Sequence, residues 1–120
     1  MRKSKINISG FKIGTAENRE GLTGVTVILA PDGGATAGVD VRGCAPGTRE
    51  TDLLDPRKTV QKIHAVVLSG GSAFGLEAAS GCVKYLAEQG VGFPIGNVCV
   101  PIVCSAVLFD LMIGDEKAYP

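Results

Sequence analysis

VVLSGGSAFGLEAASG, residues 66–81, runs from an apolar stretch through two glycines into a segment of helical spacing. How that junction is read decides the fold. The preceding run, IHAVVLSG (63–70), is continuously apolar and predicts a strand covered on both faces. After it, Ser72 stands where a helix N-cap belongs. Leu76, Ala79, Val83 and Leu86 then fall on one stripe, and Gly90 ends it. Strand, glycine turn and helix in that order predict a mixed α/β (α+β) fold. The small residues around Gly75 and Ala79 let the helix approach its sheet closely.

The same spacing fails the common nucleotide and hydrolase patterns. Gly70, Gly71 and Gly75 fit neither a Walker loop nor a dinucleotide turn, and no lysine enters the loop. Gly70-Gly71-Ser72-Ala73-Phe74 puts phenylalanine where a nucleophile elbow needs glycine. His64 would lie at the far end of the strand from Ser72, so no general base accompanies that serine. What the junction does offer is a set of backbone N–H groups at a helix start, able to hold a carboxylate, a phosphate or an oxyanion.

Upstream, ISGFKIG (8–14) predicts a short strand and LTGVTVILA (22–30) a stronger one, rich in β-branched residues. A turn at Asp32-Gly33 then predicts a hairpin whose returning strand is residues 35–43. There Ala35, Ala37, Val39 and Val41 alternate with Thr36, Gly38, Asp40 and Arg42. Residues 44–61 read as a polar loop in which Asp55-Pro56 opens a short helical turn through Gln61. Arg49 and Glu50 in that loop read as an exposed ion pair or as lining of an entrance. From residue 91 to 115 apolar stretches broken by Pro94 and Pro101 suggest strands, and Ser105 to Met112 reads as a last strand or a short helix, with strand preferred.

Composition bounds the rest. The chain has 120 residues, 45% of them apolar and 20% charged, which suits one domain, residues 1–120. Twelve basic residues balance twelve acidic ones, so no net field draws in nucleic acid. The basic start MRKSKINISG lacks the apolar segment of a signal peptide, and no stretch is long enough to cross a bilayer, so a soluble cytoplasmic protein is expected. Cys44, Cys82, Cys99 and Cys104 form no zinc or CxxC pattern and read as buried free thiols. No metal and no cofactor is expected. Glu50 with Asp52, and Asp110 with Asp115, read as solvated charges rather than catalytic pairs.

Four stretches, GFKIGTAEN, LTGVTVILAPDGGATAGVDVRGCAPGTRETDLLDP, HAVVLSGGSAFGLEAASG and VPIVCSAVLFDL, resemble in order and spacing the amino-terminal portion of the L-aminopeptidase/D-esterase family of self-cleaving hydrolases. β-Peptidyl aminopeptidases and nylon-oligomer hydrolases are among its members. The resemblance implies one part of a four-layer αββα sandwich of the aminopeptidase/ornithine acetyltransferase type. It implies a precursor that cuts itself ahead of a serine or threonine, which becomes the nucleophile, with both fragments staying together. Neither that residue nor the family's oxyanion asparagine falls in the region matched, so no catalytic residue is assigned here.

The resemblance assigns to this chain a wall of the substrate pocket: Ser69, Gly70, Gly71, Ser72, Phe74, Gly75 and Phe109. Phe109 stands near a tyrosine that helps bind the oxyanion in some relatives, and it lacks that hydroxyl; core packing is its simpler reading. Cys104 takes a place where proline or a small residue is expected. The implied partners are a small peptide or amino acid amide substrate and a carboxy-terminal β-chain or further copies of the chain. The alternative function is a small binding or interaction module that uses the glycine turn to hold a carboxylate or phosphate.

Overall fold

The computed structural model describes residues 8–120; most of the basic amino-terminal start lies outside them. The described chain forms strands β1 (Lys12–Asn18), β2 (Thr23–Leu29), β3 (Thr48–Arg49), β4 (Ala65–Ser69), β5 (Phe93–Ile95), β6 (Val98–Val100) and β7 (Val103–Val107). One α-helix, α1 (Ala78–Glu88), is preceded by a 3-10 segment, Ser72–Glu77. Five strands make one sheet in the order β1-β2-β4-β7-β3, while β5 and β6 pair as a separate two-stranded ribbon. The mixed α/β expectation holds.

β4 and β7 run parallel, with Ala65 opposite Val103 and Ser69 opposite Val107. A parallel pair requires a crossover, and α1 supplies it. The helix lays Ala79, Cys82 and Leu86 onto Ala65, Val67 and Val103, with Val25, Val27 and Leu29 of β2 at the margin of that core. Val67 is wholly buried, and burying such a side chain stabilises by about 1.5–3 kcal/mol. Gly90, at φ 67°, ends the helix as its position in the sequence predicts.

The two faces of the sheet are covered unequally along β4. Residues of β4 alternate between buried Ala65, Val67 and Ser69 and less buried Val66 and Leu68, the latter 47% exposed. The expectation of a strand covered on both faces is therefore met on the helix side alone. Register places Ile28 of β2, and Cys104 and Ala106 of β7, on the same open side as Val66 and Leu68.

The first hairpin is β1–β2, with Lys12 opposite Leu29 and Asn18 opposite Thr23. This corrects the hairpin expected at Asp32-Gly33. A turn does form there, since the Gly34 N–H donates to Pro31 O at 2.9 Å. No strand returns across residues 35–43, because both edges of β2 are already bonded, to β1 and to β4. Only Ala35 makes a bridge, with Ile63.

Three smaller expectations also change. The helical turn in the polar loop is a 3-10 segment at Asp52–Leu54, ahead of Pro56. The last strand stops at Val107 instead of reaching Met112. Of the four free cysteines, Cys82 and Cys104 are buried, Cys99 is half-buried and Cys44 is exposed.

His64, the single histidine, sits 5% exposed at the foot of β4. Its Nδ1 accepts the Ile102 N–H at 3.1 Å, tying the entry of β4 to that of β7. Accepting requires an unprotonated Nδ1, and burial lowers the His64 pKa below 6.5. Its contribution to stability is complete above the unfolded value and is lost as pH falls through the folded one. The urea midpoint should therefore drop between about pH 7 and about pH 5. His64→Asn, which keeps an acceptor but does not titrate, should flatten that part of the profile.

Candidate functional site

The site is built where β4 ends. Ser69 is followed by Gly70, then Gly71 at φ 85° and Ser72 at φ 53°, two consecutive left-handed residues that swing the chain off the sheet. Gly71, not Ser72, precedes the 3-10 segment, and no side chain caps it. The N-cap role expected of Ser72 is thus not realised, since its left-handed backbone makes it the first residue of the turn. The regular α-helix begins later, at Ala78.

Two glycines here are required by space. A Cβ on Gly75 would collide with Gly70 O, and a Cβ on Gly70 would collide with the Asp110 carboxylate and the Thr23 hydroxyl. The turn is therefore pressed between its own helix on one side and the segment after β7 on the other. That segment is laced to it: the Leu108 N–H donates to Ser69 O at 2.8 Å, and the Ser72 N–H donates to Leu108 O at 2.9 Å.

Asp110 completes the lacing. Its Oδ1 accepts the Gly71 N–H at 2.7 Å and its Oδ2 accepts the Thr23 hydroxyl at 2.9 Å. The Gly71 bond is the main reason that its carboxyl is held below the ordinary value of 3.8. Asp110 had read as a solvated charge; it is instead the polar hub of the site. Its one sequence signal is position: a lone acid directly after the apolar run of β7.

Beside the hub, an open cleft of about 680 Å³ lies at the β1–β2 hairpin and is lined by Thr15, Glu17, Thr23, Gly70, Leu108 and Asp110 among others. It adjoins the carboxyl ends of the parallel strands, the usual ligand position in α/β sheets. Of the sequence-derived site residues, Gly70 lines this cleft. Ser69 and Gly75 are buried, and the Ser69 hydroxyl donates to Gly70 O at 2.9 Å. Phe74 is 57% exposed and stacks on Tyr119, ring centres 4.7 Å apart. Phe109 is 67% exposed, so the core-packing reading is corrected; its neighbours Leu108 and Asp110 turn to the cleft instead.

The glycine turn is not an empty anion cradle. The Gly70 N–H donates to Gly24 O at 2.9 Å, the Gly71 N–H to Asp110 and the Ser72 N–H to Leu108 O. Arg49 also departs from its surface reading: it is half-buried and donates to Ser80 Oγ at 2.8 Å, pinning β3 to α1. Glu50 takes no part in an ion pair with it among the described residues. Among those residues no cluster of His, Cys, Asp or Glu could hold a metal, and no helix is long and apolar enough to cross a membrane.

Substitutions at the two kinds of glycine separate these roles. Gly75→Ala should destabilise the chain by about 1–3 kcal/mol or prevent folding. Gly81→Ala, where a Cβ meets nothing within 4 Å, should be neutral or stabilising by up to about 1 kcal/mol. Thermal unfolding of the pair measures both.

Comparison with known proteins gives the family of the sequence. Residues 5–119 match the model of peptidase family S58. An uncharacterized aminopeptidase of Mycobacterium leprae is 53% identical over 97 residues, which cover 81% of this chain and 26% of that protein. An uncharacterized aminopeptidase of Mycobacterium tuberculosis is 52% identical over 97 residues, covering 81% of this chain and 28% of the relative. A 6-aminohexanoate-oligomer endohydrolase of Kocuria sp. is 34% identical over 116 residues, 97% of this chain and 30% of its own length. The chain thus spans between a quarter and a third of the length of these relatives.

Proposed function

The chain belongs to peptidase family S58, and from that premise we propose that it forms the amino-terminal part of a self-processing aminopeptidase-type amidohydrolase. It contributes sheet scaffold and one wall of the substrate pocket. The substrate is a peptide amino terminus or an amino acid amide or ester, and the nucleophile comes from polypeptide beyond these 120 residues. The observation that carries the reading is the family match along residues 5–119, which spans the strands and the turn that frame the cleft.

The chemistry of the hydroxyls supports it. A serine nucleophile needs a base within hydrogen-bond reach. The Ser69 hydroxyl donates to a carbonyl, Ser105 Oγ is buried with no partner among the described residues, and the Nδ1 of His64 is occupied by Ile102. None of these serines is given a catalytic role.

The open sheet face supports the finer architecture, a sandwich of four layers in which a second sheet covers Leu68 and Val66. Leu68 stands beside Val66, Ile28 and Ala106 on that side, a contiguous apolar surface of the kind that another surface buries. The covering surface is a carboxy-terminal β-chain or, in the chain alone, further copies of itself. A cytoplasmic location belongs to the same reading. The rival binding module, with the turn holding a free carboxylate or phosphate, is disfavoured because Gly71 already holds Asp110.

Two experiments test this. The purified chain should show no turnover of aminoacyl p-nitroanilides, and joining it to its carboxy-terminal continuation should restore activity. Turnover by the chain alone that disappears in Ser72→Ala would sink the proposal. Leu68→Glu should change the stability of the chain by no more than about 0.5 kcal/mol yet abolish its co-purification with the continuation; unimpaired co-purification would remove the second-sheet contact.

A further inference from the structure

Asp110 joins three segments that are far apart in sequence. It lies 39 residues from Gly71 and 87 from Thr23, and bonds both through separate carboxylate oxygens. The contact is also sterically enforced, since only glycine at position 70 leaves room for the carboxylate and the Thr23 hydroxyl together. Backbone N–H groups in a left-handed turn form a concavity that attracts anions. Here the anion comes from the chain itself.

We propose that Asp110 is a positioning residue of the substrate turn: its carboxylate fills the backbone cradle at Gly71 and holds the left-handed path of Gly71 and Ser72, so that this end of the cleft presents a fixed carboxylate in place of free N–H donors. The consequence for binding is specific. An anionic substrate group meets no vacant donor at Gly71 and is repelled by Asp110. The inference rests on the proposed function only in taking the adjoining cleft as the substrate site.

The geometry separates this from a solvated surface acid. The N–H that Asp110 accepts belongs to buried Gly71, and the 2.7 Å bond spans 39 residues instead of closing a local turn. Loss of the carboxylate would leave that N–H without a partner in a place where water reaches poorly. The other ionisable groups facing the cleft are Glu17 and Arg19, which bond each other at 2.7 Å.

The test is the Gly71 amide proton, followed by ¹H–¹⁵N NMR in the full chain. In the wild type it should resonate downfield at neutral pH and move upfield on acidification, with a midpoint below 3.8, the ordinary carboxyl value. Asp110→Asn should keep an acceptor for Gly71 and remove the titration. Asp110→Ala should shift the resonance upfield at neutral pH, and added formate should return it saturably, while formate leaves the wild-type resonance unmoved.

A wild-type Gly71 amide indifferent to pH across the carboxyl range overturns the proposal, as does an Asp110→Ala amide at the wild-type position or one that ignores formate. If Asp110→Ala does not fold, the wild-type titration and its loss in Asp110→Asn decide alone. Failure of the enzymatic reading appears elsewhere, as lack of amide hydrolysis by the joined chains, and leaves the Gly71 titration intact.

Discussion

The architecture depends on how closely three pieces of backbone approach at Gly70 and Gly75. A Cβ at either position would collide, at Gly75 with Gly70 O and at Gly70 with Asp110 and Thr23. Because they have none, the 3-10 segment folds directly over the end of β4, and α1 is delivered onto the same face that Ala65 and Val67 present. The parallel pairing of β4 with β7 is completed on that face, because α1 lies in the crossover that joins them. Packing and site are thus set by one constraint: the residues that let the helix close also bring Asp110 to the cleft.

From this comes an asymmetry between the two faces of the sheet. Where α1 lies, small side chains such as Ala65 and Ala79 are buried to 1% or less, and the gain is close contact rather than large area. On the other face Leu68 stays half in water although it occupies the middle strand. Its apolar surface contributes little to the folded chain and a good deal to any surface that comes to cover it. Edge β1, exposed along its whole length, adds an unpaired row of backbone groups beside that face.

Much of this could be read from residues 63–90, because the physical signals there are local: an apolar run, a glycine pair, a 3.6-residue stripe and a terminating glycine. The regular α-helix starts six residues after Ser72, at Ala78, because the left-handed Ser72 leads into a 3-10 segment instead of capping the helix. What escaped was decided at long range. The alternation in residues 35–43 mimics a strand, yet whether it joins a sheet depends on β2 having a free edge, which residues 65–69 remove. Asp110 and Arg49 look like surface charges until Gly71 and Ser80 are brought to them from 39 and 31 residues away. Phe109 fails in the opposite sense, an aromatic that composition assigns to the core but that stands outside it.

The serines illustrate why a glycine turn beside a serine is a poor guide to chemistry. Ser69 and Ser72 flank the two glycines as a nucleophile might, but the hydroxyl of Ser69 is turned back into the chain and Ser72 carries the strained backbone of the turn. A nucleophile must be both exposed to substrate and relieved of its proton. Ser69, 2% exposed, meets neither condition. The neighbouring carboxylate cannot repair this, because both oxygens of Asp110 already accept from Gly71 and Thr23. The turn, with its donors satisfied and its path fixed, is therefore a rigid structural element and not a reactive centre.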